Sequence, residues 1–167
     1  MKLFHSPKAN NTDALIGAVG AALAMAITWL VSDALLESVS PILVVSMGAS
    51  AVILFTMPTA PAAQPFPLIL AHCVAAFIGV LSAQIFSNTA LAVGFAVGAH
   101  AGLMVRFGYM HPPSGGTALT AVIGGSAVTD LGHSFIWRPV LLNAALLVLL
   151  AFLINAPFAR RRYPAKS

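Results

Sequence analysis

The sequence predicts an all-α integral membrane protein, a helical bundle of about six membrane segments of which two are short or broken. Of its 167 residues, 59% are hydrophobic and only 7% are charged, whereas soluble domains carry about 25% charged residues. The mean hydropathy is +0.95, and several long apolar runs are suited to a lipid bilayer. We therefore interpret residues 1–167 as one membrane domain.

The positions of the basic residues argue against a nucleic-acid partner, although the net charge is +4. Most of these residues lie near the chain ends or just outside an apolar run, which is typical of charges that flank membrane spans. Lysine and arginine mark the cytoplasmic side of a membrane. We therefore expect both termini in the cytoplasm, given Lys2 and Lys8 at one end and Arg160, Arg161 and Arg162 at the other. The expected location is a bacterial inner (plasma) membrane.

The first half of the chain contains three apolar runs. Residues 14–31 are uncharged and, at about 1.5 Å per residue, can cross most of a hydrocarbon core of about 30 Å. Residues 42–57 form a shorter run with small residues at its centre, and a proline-rich stretch follows. Residues 68–86 carry His72 and Cys73 near their start. Because Cys73 is the only cysteine, we expect it to be a small core residue.

The second half begins with an apolar run at residues 90–107 that contains Gly94, Gly98 and Gly102. These glycines form two overlapping GxxxG patterns on one helix face, which allows another helix to approach closely. We also expect the chain to form a homo-oligomer. The last clear run, residues 139–157, ends beside the basic C-terminal residues.

The number of crossings depends on residues 108–128. Five clear runs cannot place both termini on one side, so either this segment crosses as a broken helix or one of the short runs does not cross. With six crossings, the halves 12–87 and 88–157 each have a short middle segment, "SPILVVSMGASAVIL" and "HPPSGGTALTAVIG". This pattern indicates a 3+3 inverted repeat, in which interrupted segments at corresponding positions point to a transport site.

The stretch "GYMHPPSGGTALTAVIGG", residues 108–125, places prolines and glycines where hydrocarbon requires every backbone polar group to be satisfied. Proline is tolerated in the first turn of a helix, so Pro112 and Pro113 predict a helix start inside the membrane, with His111 as its cap. We expect the backbone N–H groups of residues 114–116 to be free there. Together with the positive end of the helix they would favour an anion. His111 either only caps the helix or takes part in the site.

Candidate substrate-binding residues come from this stretch, from the short second run and from the beginning of the third. They are His111, Pro112, Pro113, Ser114, Gly115, Gly116, Thr117, Ser46, Gly48, Ser50, Gln64 and His72. His72 is equally compatible with a core position and a pore position, and His100 is expected to make a contact between helices.

The chemistry we expect is transport and not catalysis. The sequence shows no carboxylate pair, metal-ligand cluster or Ser/His/Asp set within the apolar runs, so we expect no enzyme, metal or cofactor. A cation site would normally need a carboxylate inside the membrane, but the four acidic residues lie at or outside the ends of the runs. The expected solute is a small inorganic anion; a small neutral solute such as urea or ammonia is the alternative.

Several motifs resemble one family of membrane proteins. "HPPSGGTALTAVIGG" is similar to the signature HPPAGATAL of the HPP family, and "MGASAVILF", "PTAPAAQP" and "LAHCVAAFIGV" resemble its other shared blocks in the same order. The resemblance covers about residues 12–156. It implies a small protein with at least four spans, and it favours nitrite as the transported anion. Two departures are Ser114-Gly115-Gly116, where Ala-Gly-Ala is common, and the missing arginine after Gln64-Pro65.

Overall fold

The structure, a computed structural model, describes residues 10–36 and 40–165. It describes no side chains from residue 36 through residue 45. In these ranges the chain is helical and contains no strand. The α-helices, in chain order, are α1 (Asn11–Leu36), α2 (Ser40–Thr56), α3 (Pro65–Ile85), α4 (Thr89–Phe107), α5 (Gly115–Ile123), α6 (Ser126–Thr129) and α7 (Leu142–Asn155). Short 3₁₀ turns form at Pro61–Ala63, Pro112–Ser114 and Ala159–Arg161, and a π-helical turn, Ile136–Leu141, leads into α7.

Four of the described helical stretches are long and apolar enough to cross a membrane, which confirms the predicted all-helical membrane class. They are Asn11–Leu35, Pro65–Ile85, Thr89–Phe107 and Ile136–Asn155. Besides α6, which has 4 residues, two other helices are shorter: α2 has 17 residues and α5 has 9 residues. They lie where the sequence predicts the short or broken segments. The count of six crossings and the inverted repeat stay predictions.

Arg161 joins three helix ends at one end of the bundle. Its buried guanidinium donates to the carbonyl oxygen of Phe55, near the end of α2, and to Oδ1 of Asn155, the last residue of α7, at 3.0 Å. The same group lies 3.7 Å from the carboxylate of Asp13, in the first turn of α1. The described beginning and end of the chain therefore lie at the same end of the bundle. The prediction that this end faces the cytoplasm stays a prediction.

Glycines permit two close contacts between helices. A Cβ atom built at Gly20 in α1 would lie 2.6 Å from Cδ1 of Phe55 in α2. One built at Gly79 in α3 would lie 2.6 Å from Cβ of Ala121 and 2.7 Å from the carbonyl oxygen of Ala118, both in α5. Carbon atoms normally pack at about 3.5–4.0 Å, so α5 can lie this close to α3 only because residue 79 has no side chain.

The GxxxG face of α4 makes no such contact within the described chain. A Cβ atom at Gly94, Gly98 or Gly102 would have no atom within 4 Å outside its own local backbone. Within the described chain this face therefore has no partner helix, and the prediction that another helix approaches it stays a prediction. The helix packs through its opposite face, where the buried residues are four apart: Ala92, Ala96, His100 and Met104.

The main apolar core lies between α2, α3 and α7, where Phe55, Leu68 and Leu147 are fully buried. A smaller cluster joins α5 to α3 and α4 through alanines, which are Ala75, Ala96 and Ala118. Because these side chains are small, α5 lies close to both long helices. Polar side chains on four different segments can then reach one another inside the bundle.

Candidate functional site

The HPP segment, residues 108–125, begins with a reversal of the chain. α4 is capped by Gly108, whose φ of +73° is left-handed and therefore suits glycine. After this turn, Pro112–Ser114 forms one 3₁₀ turn that continues into α5. The prediction that the two prolines begin a helix is confirmed, since proline has a fixed φ and no N–H to satisfy.

Two of the three backbone donors expected to be free at this helix start are already hydrogen-bonded. The N–H of Ser114 donates to the carbonyl oxygen of His111 at 3.1 Å. The N–H of Gly115 donates to the carbonyl oxygens of Pro112 and Pro113. The prediction that these two N–H groups face a solute is therefore wrong, because the 3₁₀ turn already uses both of them.

The side chain of His111 does not cap the helix but enters the bundle. Its ring makes no capping hydrogen bond and is fully buried. Nδ1 lies 2.6 Å from the carbonyl oxygen of Ala62, in the turn before α3. Nε2 lies 2.9 Å from Oγ of Ser50 in α2. The ring thus connects the HPP segment to two other parts of the fold.

His72 of α3 completes a continuous row of polar contacts. Its Nε2 lies 2.8 Å from Oγ of Ser50, and its Nδ1 lies 2.6 Å from Oγ1 of Thr117 in α5. The two imidazole ring centres are 5.1 Å apart. We name this row the buried polar chain: Thr117, His72, Ser50, His111 and the carbonyl of Ala62.

For two neutral rings, the hydrogen-bonding pattern assigns the proton positions along this chain. The carbonyl of Ala62 can only accept, so Nδ1 of His111 carries a hydrogen, and Nε2 of the neutral ring accepts from the hydroxyl of Ser50. The Ser50 oxygen then accepts from Nε2–H of His72, whose Nδ1 accepts from the hydroxyl of Thr117. Every bond has one donor and one acceptor. The two neutral rings therefore have opposite tautomers.

His100 of α4 joins the HPP segment by a separate contact. The hydroxyl of Ser114 donates to the carbonyl oxygen of His111 at 2.6 Å, so its oxygen accepts from Nε2–H of His100 at 2.7 Å. Nδ1 of His100 is then an acceptor. This atom and the hydroxyl of Tyr109 are both buried without a hydrogen-bond partner in the described part of the protein. The contact between helices predicted for His100 is therefore a contact with the HPP segment.

The opposite side of the HPP segment lines a cavity of about 630 Å³ against α2. Pro112, Pro113, Gly116 and Ser46 are among its lining residues. A Cβ atom at Gly116 would lie 3.7 Å from Cα of Ser46, so α2 and α5 meet here. At Gly48 a Cβ atom would meet nothing within 4 Å. The structure thus brings Ser46 and Ser50 of α2 against the HPP segment, whereas Gly48 makes no close contact there.

Gln64 is used to hold a loop. Its amide nitrogen donates to the carbonyl oxygens of Pro58 and Ala60, at 3.1 Å and 2.9 Å. Its amide oxygen accepts from the backbone N–H of Ala165 at 2.8 Å. Both hydrogens of the amide nitrogen are therefore engaged by backbone carbonyls, and this side chain has no free donor for a solute in this conformation.

Sequence reasoning selected four members of the buried polar chain, Ser50, His72, His111 and Thr117, but it did not predict their hydrogen bonds. It missed the carbonyl of Ala62 entirely, because a backbone acceptor leaves no signal in the side-chain sequence. The involvement of His100 had a detectable signal. This residue shares the i, i+4 face of α4 with Ala92, Ala96 and Met104, away from the three glycines.

The chemistry available at this centre is that of hydroxyls and imidazoles. Among the described residues, no hydrogen bond or ion pair links the buried polar chain to an Asp, Glu, Lys or Arg side chain. The same residues contain no group of three His, Cys, Asp or Glu side chains that could hold a metal ion. The centre can donate, accept and exchange protons.

Two curated relatives share much of this sequence. A transmembrane protein of Dictyostelium discoideum is 34% identical over 133 residues, which cover 77% of this chain and 46% of that protein. A second transmembrane protein of the same organism is 35% identical over 128 residues, covering 71% of this chain and 39% of that protein. The chain therefore spans less than half the length of these relatives, whose names assign them no solute.

No solved structure matches the chain significantly. The family described as "HPP, transmembrane region" matches residues 6–164, which include every helix described above and the complete buried polar chain. The match extends over almost the whole sequence and agrees with the four apolar helices that are long enough to span a bilayer. This chain belongs to the HPP family of integral membrane proteins.

Proposed function

We propose that this protein is a transporter or channel for a small inorganic anion, with nitrite as the expected solute. The observation that carries the proposal is the buried polar chain, which joins α2, α3 and the HPP segment inside an apolar bundle. Polar and ionisable groups are expensive inside a membrane and commonly mark the paths of solutes or protons. The solute would pass beside this chain, next to the start of α5.

The side chains at this centre favour an anion or a neutral solute over a cation. Hydroxyl and imidazole groups can donate hydrogen bonds to an anion. A buried cation would need a carboxylate, and among the described residues no carboxylate is bonded to this centre. One observation supports the alternative of urea or ammonia. The buried polar chain can form all of these hydrogen bonds with both rings neutral, so a neutral solute would require no change of charge.

The proposal can be tested with purified protein in sealed liposomes. We expect nitrite to enter faster than in protein-free liposomes, and other small anions to compete while urea does not. Protein-free liposomes are needed as a control because the protonated form of a weak acid crosses lipid by itself. Urea uptake without anion uptake would support the alternative. Uptake of neither solute would refute both transport proposals.

Gly115→Val tests whether the HPP segment lies on the path. A Cβ atom at Gly115 would meet nothing within 4 Å, and its φ of −54° is helical, so the fold should accept valine. We expect nitrite flux to fall strongly with little change in stability. Ala101→Val is the matched control, since Ala101 is exposed on α4. Equal flux in both variants would place the path elsewhere.

A further inference from the structure

We propose that the buried polar chain is a proton relay that couples the passage of each anion to one proton, with Ser50 transferring that proton between His72 and His111. This inference rests on the proposed anion transport and names its driving ion. It is carried by the hydrogen-bond geometry around Ser50, whose hydroxyl oxygen lies almost equally far from the two imidazole nitrogens, at 2.8 Å and 2.9 Å.

This geometry allows the hydroxyl hydrogen to point toward either ring. The direction of the Ser50 hydroxyl depends on the two ends of the buried polar chain. At one end, the carbonyl of Ala62 keeps a hydrogen on Nδ1 of His111. At the other end, Thr117 has a hydroxyl that can donate to His72 or accept from it. The buried polar chain therefore has two hydrogen-bonding patterns. The bonds between Thr117 and His111 run in opposite directions in the two patterns, and one pattern contains one more proton.

The proton step balances as follows. In a conformation that opens the Thr117 hydroxyl, which is fully buried here, a hydronium ion or a protonated solute gives one proton to its oxygen. The hydroxyl hydrogen of Thr117 then moves to Nδ1 of His72. The hydrogen on Nε2 of His72 moves to the oxygen of Ser50, and the Ser50 hydrogen moves to Nε2 of His111. His111 becomes an imidazolium with hydrogens on both nitrogens, while His72 stays neutral as the other tautomer. Reversal of these moves returns the proton through Thr117 to the departing solute or to water.

An anion needs this proton because no arginine or lysine among the described residues is bonded to the centre. In the described chain, the buried arginine Arg161 is already bonded to the ends of three helices. Burial of an anion without a counter-charge is costly. The imidazolium of His111 would supply the charge only while a proton is present, so the anion and the proton would bind together.

Only one extra proton is expected at the pair of rings. The titratable groups packed around His111 are His72 from α3 and, through Ser114, His100 from α4, with Tyr109 beside His100. α2 and α5 contribute hydroxyls to the chain. Two imidazolium rings with centres 5.1 Å apart would repel each other in a buried site, so the pair should titrate as one unit.

The test compares two driving forces for nitrite uptake into liposomes. One proton moving with one nitrite ion carries no net charge, so uptake above the protein-free background should follow an inward proton gradient and ignore a potential set with potassium and valinomycin. Ser50→Ala should lose this proton-driven uptake because it removes the bridge between the rings. Ser82→Ala is the control, since Ser82 is equally buried but bonds only within its own helix, to Ile78.

Nitrogen-15 NMR of the imidazole rings in detergent-purified protein tests the relay without any transport. At high pH we expect hydrogen on Nδ1 of His111 and on Nε2 of His72. Acidification should add one proton to His111 and move the His72 hydrogen to Nδ1, and Ser50→Ala should abolish this coupled change. Signals can be assigned by replacing each histidine singly.

The outcomes separate the two proposals. Nitrite uptake that follows the potential and ignores the proton gradient would overturn the relay but leave anion transport standing. Absence of nitrite uptake would overturn the proposed function, and the NMR measurement would then decide the relay alone. Identical tautomers on His72 and His111, or unlinked titration of the two rings, would overturn it.

Discussion

The contact between α3 and α5 can be tested by adding one methyl group at two glycines. Gly79→Ala adds it where Cβ would lie 2.6 Å from Cβ of Ala121 and 2.7 Å from the carbonyl oxygen of Ala118. Gly98→Ala adds the same methyl group where nothing lies within 4 Å. Both glycines lie inside long helices, so the two variants differ chiefly in what the new methyl group meets.

The expected magnitude follows from two opposing effects. Replacing glycine by alanine inside a helix stabilises it by about 1 kcal/mol, and this gain is common to both variants. At Gly79 the new methyl group is about 1 Å closer to its neighbours than the optimum of about 3.5–4.0 Å, and overpacking of this kind costs about 1–3 kcal/mol. Gly79→Ala should therefore be less stable than Gly98→Ala by about 1–3 kcal/mol.

The assay is reversible unfolding of both variants as monomers in the same mixed detergent, followed by circular dichroism. The denaturant concentration at the unfolding midpoint of Gly98→Ala should equal or exceed that of the parent. The midpoint of Gly79→Ala should lie below that of Gly98→Ala. Because α3 and α5 also carry His72 and Thr117, Gly79→Ala should reduce nitrite flux more than Gly98→Ala. Equal unfolding midpoints for the two variants would show that α3 and α5 do not pack as closely as described.

Three further outcomes are expected. On a Cys73→Ser background, a cysteine at Ser167 should react with an impermeant reagent only from the cytoplasmic side; labelling from outside would refute the predicted orientation. Arg161→Ala should lower the free energy of unfolding by about 1.5–3 kcal/mol or more, since one hydrogen bond to a charged group usually contributes that much. Arg162→Ala is the control, because Arg162 is exposed, and it should change the free energy of unfolding little. Equal effects of the two variants would exclude Arg161 as a link between helix ends. Gly98→Leu should leave the folded monomer intact and weaken a homo-oligomer measured in mild detergent; an unchanged oligomer would show that this face of α4 is not the interface.

The sequence alone determined the class of the protein and the start of the central helix. Composition, the length of apolar runs and the positions of charges are properties of the chain itself, and they sufficed to predict a helical membrane protein. The turn at Pro112 and Pro113 was equally predictable, since proline restricts its own backbone and lacks an N–H group. Residue type also selected Ser50, His72, His111 and Thr117 as members of one site, because polar groups are rare inside apolar runs.

The partners of these residues were decided only by the tertiary structure. The GxxxG spacing showed which glycines share a face, but the packing of α4 through its opposite face left them without a neighbour in the described chain. Two of the three N–H groups expected to be free, those of Ser114 and Gly115, donate to acceptors in the local 3₁₀ turn. His111, Ser50 and His72 lie on different segments and meet because Gly79 and small alanines allow α5 to approach α3 closely. Their hydrogen-bond directions depend on one backbone carbonyl, that of Ala62, whose position the fold sets and no residue type encodes.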